Sequence, residues 1–183
     1  MARHGWLRAM QAMLMLQVLQ VLRVLLVLVV LAVPASAAEP LDRILARVDG
    51  QVILLSDVRA ARVLRLAGVP AQEDLPAATH ALVDRQLVLA EAMRGLPDGP
   101  DAARVDTEVT AMRVRAGGPS RVDPMMAETG VTAEHLIRLA RESLWIEAYL
   151  QQRFSAGLSS EAGQAWLGDL RRRASITCGV PGC

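Results

Sequence analysis

Two short apolar runs stand close together near residue 45. The first is Ile44–Val48 and the second is Gln51–Leu55, with Asp49 and Gly50 between them. A two-residue type I′ turn requires positive φ at both central positions, and Asp followed by Gly meets that requirement. The pattern therefore predicts a β-hairpin that turns at Asp49-Gly50.

Directly after this hairpin, the period of the apolar pattern lengthens to that of a helix. Ser56 is predicted to cap the helix and Asp57 to begin it, because a hydroxyl accepts a free amide and an acid suits the positive end of the helix dipole. Gly68 and Pro70 are predicted to end it. Its apolar face comprises Val58, Ala61 and Leu64, and its arginine face comprises Arg59, Arg62 and Arg65.

The remaining pattern predicts further helices separated by turn residues. A capping or first-turn residue opens each segment, and glycine closes several of them. The predicted segments run from Pro76 to about Arg94, from Asp101 to Gly117, from Asp123 to Gly130, from Thr132 to about Phe154, and from Ser159 or Ser160 through Leu170. On the long helix, the apolar stripe is predicted to be Ile137, Ala140, Leu144 and Ala148.

The end of the chain returns to an extended pattern. Ser175–Cys178 favours a strand because Ile and Thr are strand formers. A lone two-stranded hairpin is marginal in water, so we expect this strand to join it. The fold class is therefore predicted to be mainly α, with a small antiparallel sheet made of the N-terminal hairpin and a C-terminal strand.

The first 37 residues predict a secretory signal peptide. Basic residues in the first eight positions precede an uninterrupted apolar run, Val24–Val33, and then the small-residue sequence ASA. Cleavage is expected between Ala37 and Ala38, which predicts an exported protein. The alternative is an uncleaved anchor, since apolar residues extend further back, but Arg23 interrupts them and is costly inside a bilayer.

Charge argues against nucleic acid as a partner. The net charge of +1 falls to −2 when the leader is removed, because the leader holds three arginines and no acid. Nucleic-acid binding requires a basic face that neutralises phosphates. Arg171–Arg173 is the only basic run, and it is interpreted as a solvated helix end. Contact with a membrane is expected only through the signal peptide during export.

Two cysteines, Cys178 and Cys183, lie in the short tail 178–183. Export to an oxidising compartment favours a disulfide between them, and free thiols are the alternative. Zinc would need two further ligands. The mature chain offers only His80 and His135, which are distant in sequence, so no metal site is predicted.

No catalytic or cofactor motif is recognisable. The sequence lacks a glycine-rich phosphate loop, a nucleophile elbow and a zinc-protease pattern. His135 beside Glu134 is interpreted as a surface pair, and His80 with Asp84 has the ordinary spacing of helical neighbours. No group of residues is predicted to combine a nucleophile, a base and an orienting partner.

Methionines and aromatic residues supply the candidate binding surface. Flexible thioethers and amphipathic rings suit promiscuous binding, although each of these residues also suits core packing. The candidate client-binding residues are Met112, Met125, Met126, Trp145 and Tyr149.

Four segments resemble the N-terminal domain of SurA-type periplasmic chaperones and parvulin-linked prolyl isomerases. LDRILARVDGQVILLSDV resembles that family's opening hairpin and first helix, and ALVDRQLVLAEA resembles its second helix. ESLWIEAYLQQRF is similar to its long helix, and WLGDLRRRASI is similar to its closing helix and strand. The resemblance covers about residues 41–177. It implies an orthogonal helical domain over residues 38–177, between the signal peptide 1–37 and the tail 178–183.

This resemblance implies a role in protein folding and outer-membrane protein biogenesis. Family members carry parvulin catalytic domains of about one hundred residues, and the helix break at 154–160 is too short to hold one. The resemblance therefore implies a chaperone that holds unfolded or outer-membrane polypeptide clients in an apolar cleft, with no enzymatic activity and no cofactor. The alternative is a structural adaptor that binds one specific envelope partner.

Overall fold

The computed structural model describes residues 17, 20, 42–71 and 74–181. Apart from residues 17 and 20, the predicted signal peptide lies outside the described residues, as does its cleavage site between Ala37 and Ala38. The chain divides into two compact units, residues 1–40 and 41–183, and all elements below belong to the second. Among the described residues, no helix is both long and apolar enough to cross a membrane.

The described residues of the second unit form three strands and six helices. These are β1 Ile44–Val48, β2 Gln51–Leu54, α1 Leu55–Val63, α2 Leu75–Gly95, α3 Ala102–Arg115, α4 Pro119–Thr129, α5 Ala133–Arg153, α6 Glu161–Arg173 and β3 Ile176–Cys178. The fold is mainly helical with a small antiparallel sheet, as the sequence pattern predicts.

The hairpin forms with the predicted turn. Val48 pairs with Gln51, so the loop contains only Asp49 and Gly50, whose φ angles of 48° and 87° are both positive. The register shifts beyond this point and leaves Leu45 as a bulge. Leu45 is fully buried, so the bulge directs an extra apolar side chain into the core.

The third strand also forms as predicted, and it makes β1 the central strand of the sheet, with order β2-β1-β3. The Asp49 N–H donates to the Ser175 carbonyl at 2.9 Å. In return, the Ser175 N–H donates to Asp49 Oδ1 at 2.8 Å. The Gly179 N–H donates to the Leu45 carbonyl at 2.8 Å, so the pairing continues one residue beyond Cys178.

The predicted N-cap of α1 is wrong. The helix begins at Leu55 with Leu54 as its N-cap residue, because the second strand continues into the helix without an intervening loop. The cap comes from inside the helix, where the Asp57 carboxylate accepts the Leu54 N–H at 2.8 Å, one half of a capping box. The Ser56 hydroxyl instead donates to the carboxylate of Asp42.

The predicted end of α1 is also wrong, because the helix ends before Gly68. The Leu66 N–H donates to the Ala61 carbonyl at 2.9 Å, and the Arg65 N–H donates to the Arg62 carbonyl at 3.1 Å. This pair of bonds is a Schellman motif. Arg65 takes the left-handed conformation, with φ of 52°, at the position where glycine is preferred.

The other helix boundaries follow the predictions except in α4. Asp101, Thr132 and Ser160 each accept a backbone amide at an N-cap. However, α4 begins at Pro119 rather than at Asp123, and Pro124 lies inside it. Pro124 is exposed, so the carbonyl that loses its amide donor remains open to water.

The helices pack around one continuous core. α5 packs on α2 and α3, α1 packs on α4, and α6 packs on α2. Leu136 rather than the predicted Ile137 belongs to the buried stripe of α5, because Leu136 is 1% exposed and Ile137 is 36% exposed. Fully buried large side chains include Leu45, Val58, Leu64, Val83, Val88, Val105, Met112, Val122 and Leu136.

Candidate functional site

A surface cavity of about 780 Å³ lies between the end of α1, α3 and the second half of α5. We call it the apolar cleft. Its apolar lining comprises Leu66, Ala67, Ile146, Leu150, Phe154 and Leu158. Leu66 is buried, and the four large apolar residues from Ile146 onward are half-buried. The volume falls within the range of about 300–1,000 Å³ that is typical of ligand sites.

Charged residues line the apolar cleft alongside these side chains. Arg115 Nη2 of α3 lies 2.6 Å from Glu108 Oε1. On α5, Gln151 Nε2 donates to Glu147 Oε1 at 3.0 Å. An apolar surface with a few oriented polar groups can take up apolar side chains and still leave hydrogen-bonding groups for a ligand's backbone.

An aromatic cluster supports the wall at Phe154. The ring centroids of Phe154 and Trp166 are 5.2 Å apart, and those of Trp166 and Tyr149 are 6.0 Å apart. The Arg153 guanidinium lies 5.6 Å from the Phe154 centroid and 5.4 Å from the Trp166 centroid. Tilted ring pairs and cation–π contacts hold Phe154 in place where α5 ends.

A second cavity of about 420 Å³ opens between β2, α1, α2 and α5. We call it the charged cleft. Its ionisable lining residues are Asp57, Arg85, His135, Arg138 and Glu142. Leu66 and Arg85 line both clefts, so the two cavities share part of their walls.

Arg85 is held by three groups of α5. Its Nη2 donates to Ser143 Oγ at 3.0 Å and to the Leu139 carbonyl at 3.4 Å, and it lies 3.9 Å from Glu142 Oε2. Burial lowers the pKa of Arg85, and the Glu142 charge only partly opposes this. The Arg85 side chain is therefore a fixed part of the wall rather than a mobile surface cation.

Two carboxyl groups in the charged cleft also titrate away from their ordinary values. Burial raises the pKa of Glu142, against the opposing charges of Arg85 and Arg138. Burial likewise raises the pKa of Asp57, although its hydrogen bond from the Leu54 amide acts in the opposite direction. Loss of solvent outweighs the favourable contacts at both groups.

The candidate residues chosen from sequence lie elsewhere. Met112, Met125 and Tyr149 are buried in the core, with exposures of 1%, 4% and 9%. Met126 and Trp145 are half-buried. None of the five lines the apolar cleft or the charged cleft. In this conformation, Met112, Met125 and Tyr149 pack the domain and are not accessible to a client.

Trp145 has a specific structural partner. Its Nε1 donates to the Leu96 carbonyl at 2.8 Å, at the point where α2 ends. Its Cη2 lies 3.1 Å from the position that a Cβ on Gly99 would occupy. These contacts fix the turn between α2 and α3 against α5.

The cleft residues that sequence reasoning missed do carry a signal. Ile146, Leu150 and Phe154 recur at intervals of four residues on α5. They form a second apolar stripe beside the buried stripe of Leu136, Ala140 and Leu144. Ile146 and Leu150 pack partly against the core, and the half-buried side chains of all three residues line the apolar cleft.

The described part of the chain offers no evident metal-binding site. No group of three His, Cys, Asp or Glu residues there could hold a metal ion. Cys178 is disulfide-bonded, and Cys183 lies outside the described residues.

Comparison with known proteins adds no family assignment. No family model matches the chain, and no curated protein matches it significantly. The domain is therefore described by its architecture alone, which consists of helices, a three-stranded sheet and two adjoining surface clefts.

Proposed function

We propose that this protein is a chaperone-like module that binds unfolded polypeptides, outer-membrane proteins among them, and does not catalyse a reaction on them. The observation that carries the proposal is the apolar cleft, with its second apolar stripe on α5. The SurA-type resemblance of the sequence supports the same class of function and implies an exported protein that acts in the periplasm.

The cleft suits an extended client with spaced apolar side chains. Ile146, Leu150 and Phe154 offer apolar surface along one line of a helix, so a client segment can place side chains beside them. The Glu108–Arg115 pair and Glu147 remain available to the polar backbone of the client. Such binding is modest in affinity, because ordering a flexible client offsets much of the gain from buried surface.

The fixed Arg85 side chain contributes to the same function. It stands between the two clefts, and its bonds to α5 hold their common wall in place. A client that extends beyond the apolar cleft meets the charged cleft, where paired charges leave the local net charge close to neutral. The combined surface therefore favours no strongly charged client.

Site-specific photo-crosslinking tests the proposal. Gln151 and Gln152 are adjacent exposed residues of α5, and only Gln151 lines the apolar cleft. A photo-reactive phenylalanine analogue at position 151 is expected to crosslink several unrelated urea-unfolded outer-membrane proteins. The same analogue at position 152 is the matched control and is expected to give much lower yields. Equal yields at the two positions, or none at position 151, would contradict binding in this cleft.

Two further assays test separately whether the protein holds unfolded clients and whether it catalyses prolyl isomerisation. Light scattering of a diluted, unfolded outer-membrane protein is expected to rise more slowly when the protein is present in several-fold excess. A proline-peptide assay is expected to show no acceleration of isomerisation. If scattering is unchanged and position 151 crosslinks one envelope protein alone, the adaptor function replaces the chaperone function.

A further inference from the structure

Three arginines line a third cavity, of about 450 Å³, beside the Schellman motif that ends α1. We call it the arginine pocket. Arg62 comes from α1, Arg65 from the left-handed turn, and Arg121 from the first turn of α4. The remaining lining residues are Val63, Leu66, Val69 and Ala71. No described lining residue is acidic, so the described lining of this cavity carries three positive charges and no negative one.

Arg62 is the residue in this pocket that most needs a partner. Its Nε and Nη2 atoms are excluded from solvent and make no hydrogen bond. An unsatisfied buried donor costs free energy, and a charged donor costs more than a neutral one. An anion in the pocket would balance the positive charge of this guanidinium.

Arg65 and Arg121 are also held in unfavourable positions. Arg65 has φ of 52°, a conformation that costs a non-glycine residue on the order of 1 kcal/mol or more. Arg121 lies in the first turn of α4, which contains no acid, so its charge opposes the positive end of the helix dipole. A bound anion would offset the unfavourable charge of Arg121 at the helix N-terminus and give the Arg65 guanidinium a counter-ion.

By contrast, Arg59 belongs to the same helix as Arg62 but has a counter-ion. Its Nη1 lies 3.9 Å from Glu128 Oε1, and both side chains are largely exposed. Arg59 does not line the pocket. The arginine face predicted on α1 therefore divides into a solvated ion pair at Arg59 and an uncompensated set around Arg62.

We propose that the arginine pocket binds a phosphate group. The planar guanidinium fork matches the oxygens of a phosphate in a bidentate arrangement, and a dianion balances three arginines better than a single carboxylate does. The phosphate has two chemical sources, a small soluble phosphate compound or the headgroup of an anionic phospholipid. The apolar residues Val63, Val69 and Ala71 stand beside the cations and accommodate either one.

Calorimetric titration of the purified full chain with inorganic phosphate at low ionic strength is the primary test. Binding is expected for the wild type and for Arg59→Met, the matched control on the same helix. Arg62→Met and Arg121→Met are expected to weaken binding by about tenfold or more, as for loss of a hydrogen bond to a charged group. Arg62→Met removes the unsatisfied guanidinium, so it is expected to fold. Absence of binding to the wild type, or equal binding to Arg62→Met, would overturn the proposal.

Vesicles then identify the source of the phosphate. If the source is a lipid, the protein is expected to co-sediment with phosphatidylglycerol vesicles but not with phosphatidylcholine vesicles. Arg62→Met should abolish that co-sedimentation, and inorganic phosphate should compete with it. If the source is soluble, calorimetric binding persists and neither vesicle is bound.

A last variant tests whether the chain supplies its own anion. Glu73 follows Ala71 by two positions and lies outside the described residues. If phosphate binds to Glu73→Gln but not to the wild type, the Glu73 carboxylate is the anion that occupies the pocket. That result would overturn the proposal. Similar phosphate affinity in the two proteins supports it.

Discussion

Arg171 of α6 binds the carboxylate of Asp84 on α2 through two parallel hydrogen bonds. Nε donates to Oδ1 at 2.6 Å and Nη2 donates to Oδ2 at 2.5 Å. The hydrogen bond to Asp84 is the main cause that raises the pKa of Arg171. The sequence predicted a solvated arginine run here and paired Asp84 only with His80. The actual contact joins two helices, and its two residues are 87 positions apart in the chain.

Breaking this pair is expected to destabilise the domain. Arg171→Met leaves Asp84, whose side chain is only 19% exposed, without its two charged donors. We expect a loss of about 1–3 kcal/mol in the free energy of unfolding. Urea denaturation measures it. The control is Arg172→Met, because Arg172 pairs with Asp169 on the same helix and both are exposed. That change should stay within about 0.5 kcal/mol, and equal effects of the two variants would show that the inter-helix pair contributes little.

Two glycines of α6 are expected to respond to alanine with opposite signs. A Cβ on Gly163 would lie 2.5 Å from the Leu158 carbonyl oxygen, whereas a Cβ on Gly168 would meet only the flexible end of Arg172 at 3.5 Å. Gly168→Ala is expected to stabilise the protein by about 0.5–1 kcal/mol through helix propensity. Gly163→Ala is expected to destabilise it by about 1–3 kcal/mol, because backbone atoms must move. Thermal unfolding of the two variants checks the signs, and a shared sign would refute the close approach at Gly163.

The hairpin turn depends on backbone conformation at Gly50. Its φ is 87°, and no neighbouring atom would obstruct a side chain there, so any cost of substitution comes from the backbone alone. Gly50→Val is expected to lower stability by on the order of 1–2 kcal/mol. An unchanged denaturation midpoint would mean that the sheet contributes little to stability.

Replacing Arg65 by glycine is expected to change stability and anion binding in opposite directions. Arg65 occupies the left-handed position of the Schellman motif, which glycine adopts without strain. Arg65→Gly is therefore expected to stabilise the domain by roughly 1 kcal/mol, while weakening phosphate binding in the arginine pocket. Thermal unfolding without phosphate and calorimetry with phosphate measure the two effects separately. A destabilised variant would show that the Arg65 side chain contributes more through packing than its backbone conformation costs.

Glu142 is expected to give stability a specific pH dependence. Its pKa is raised by burial above the ordinary value of 4.5, so the folded state holds this proton more tightly than the unfolded state does. Its contribution to stability is therefore present at low pH and is lost as pH rises from about 4.5 through the folded-state pKa. Glu142→Gln removes this dependence.

Urea denaturation at several pH values tests this expectation. The stability of Glu142→Gln relative to the wild type should increase as pH rises from 4 to 7. Glu147→Gln controls for the loss of a negative charge from an exposed position on the same helix. A difference between Glu142→Gln and wild type that stays constant with pH would contradict the raised pKa.

Most elements were predictable because their signals are local. Asp49 and Gly50 specify the hairpin turn because both tolerate a positive φ angle. Asp101 and Thr132 cap the helices that directly follow them. Both ends of α1 were mispredicted because the residues that satisfy its terminal backbone groups are not the ones that sequence preferences favour. Asp57 supplies a cap from inside the helix, and Arg65 adopts a conformation that sequence preferences assign to glycine.

The candidate site was less predictable because its parts come together only in three dimensions. Residue type favoured Met112, Met125 and Tyr149, but large flexible or aromatic side chains also fill cores, and these three do so. The pattern at Ile146, Leu150 and Phe154 was visible on α5, yet nothing in the sequence shows which of two apolar stripes stays only half-buried. Arg85 finds its partners 54 and 58 residues along the chain, beyond the reach of local reasoning.

The position of β1 in the centre of the sheet sets the order in which the domain can be completed. Asp49 and Ser175 are 126 residues apart, and a ribosome produces the first long before the second. During synthesis, β1 can pair with β2 at once, but its other edge stays open until β3 appears. Pairing between such distant segments is slow, and an open edge can pair with another chain in the meantime. A chain that stops before residue 175 would lack β3 and would leave that edge of β1 without its partner strand.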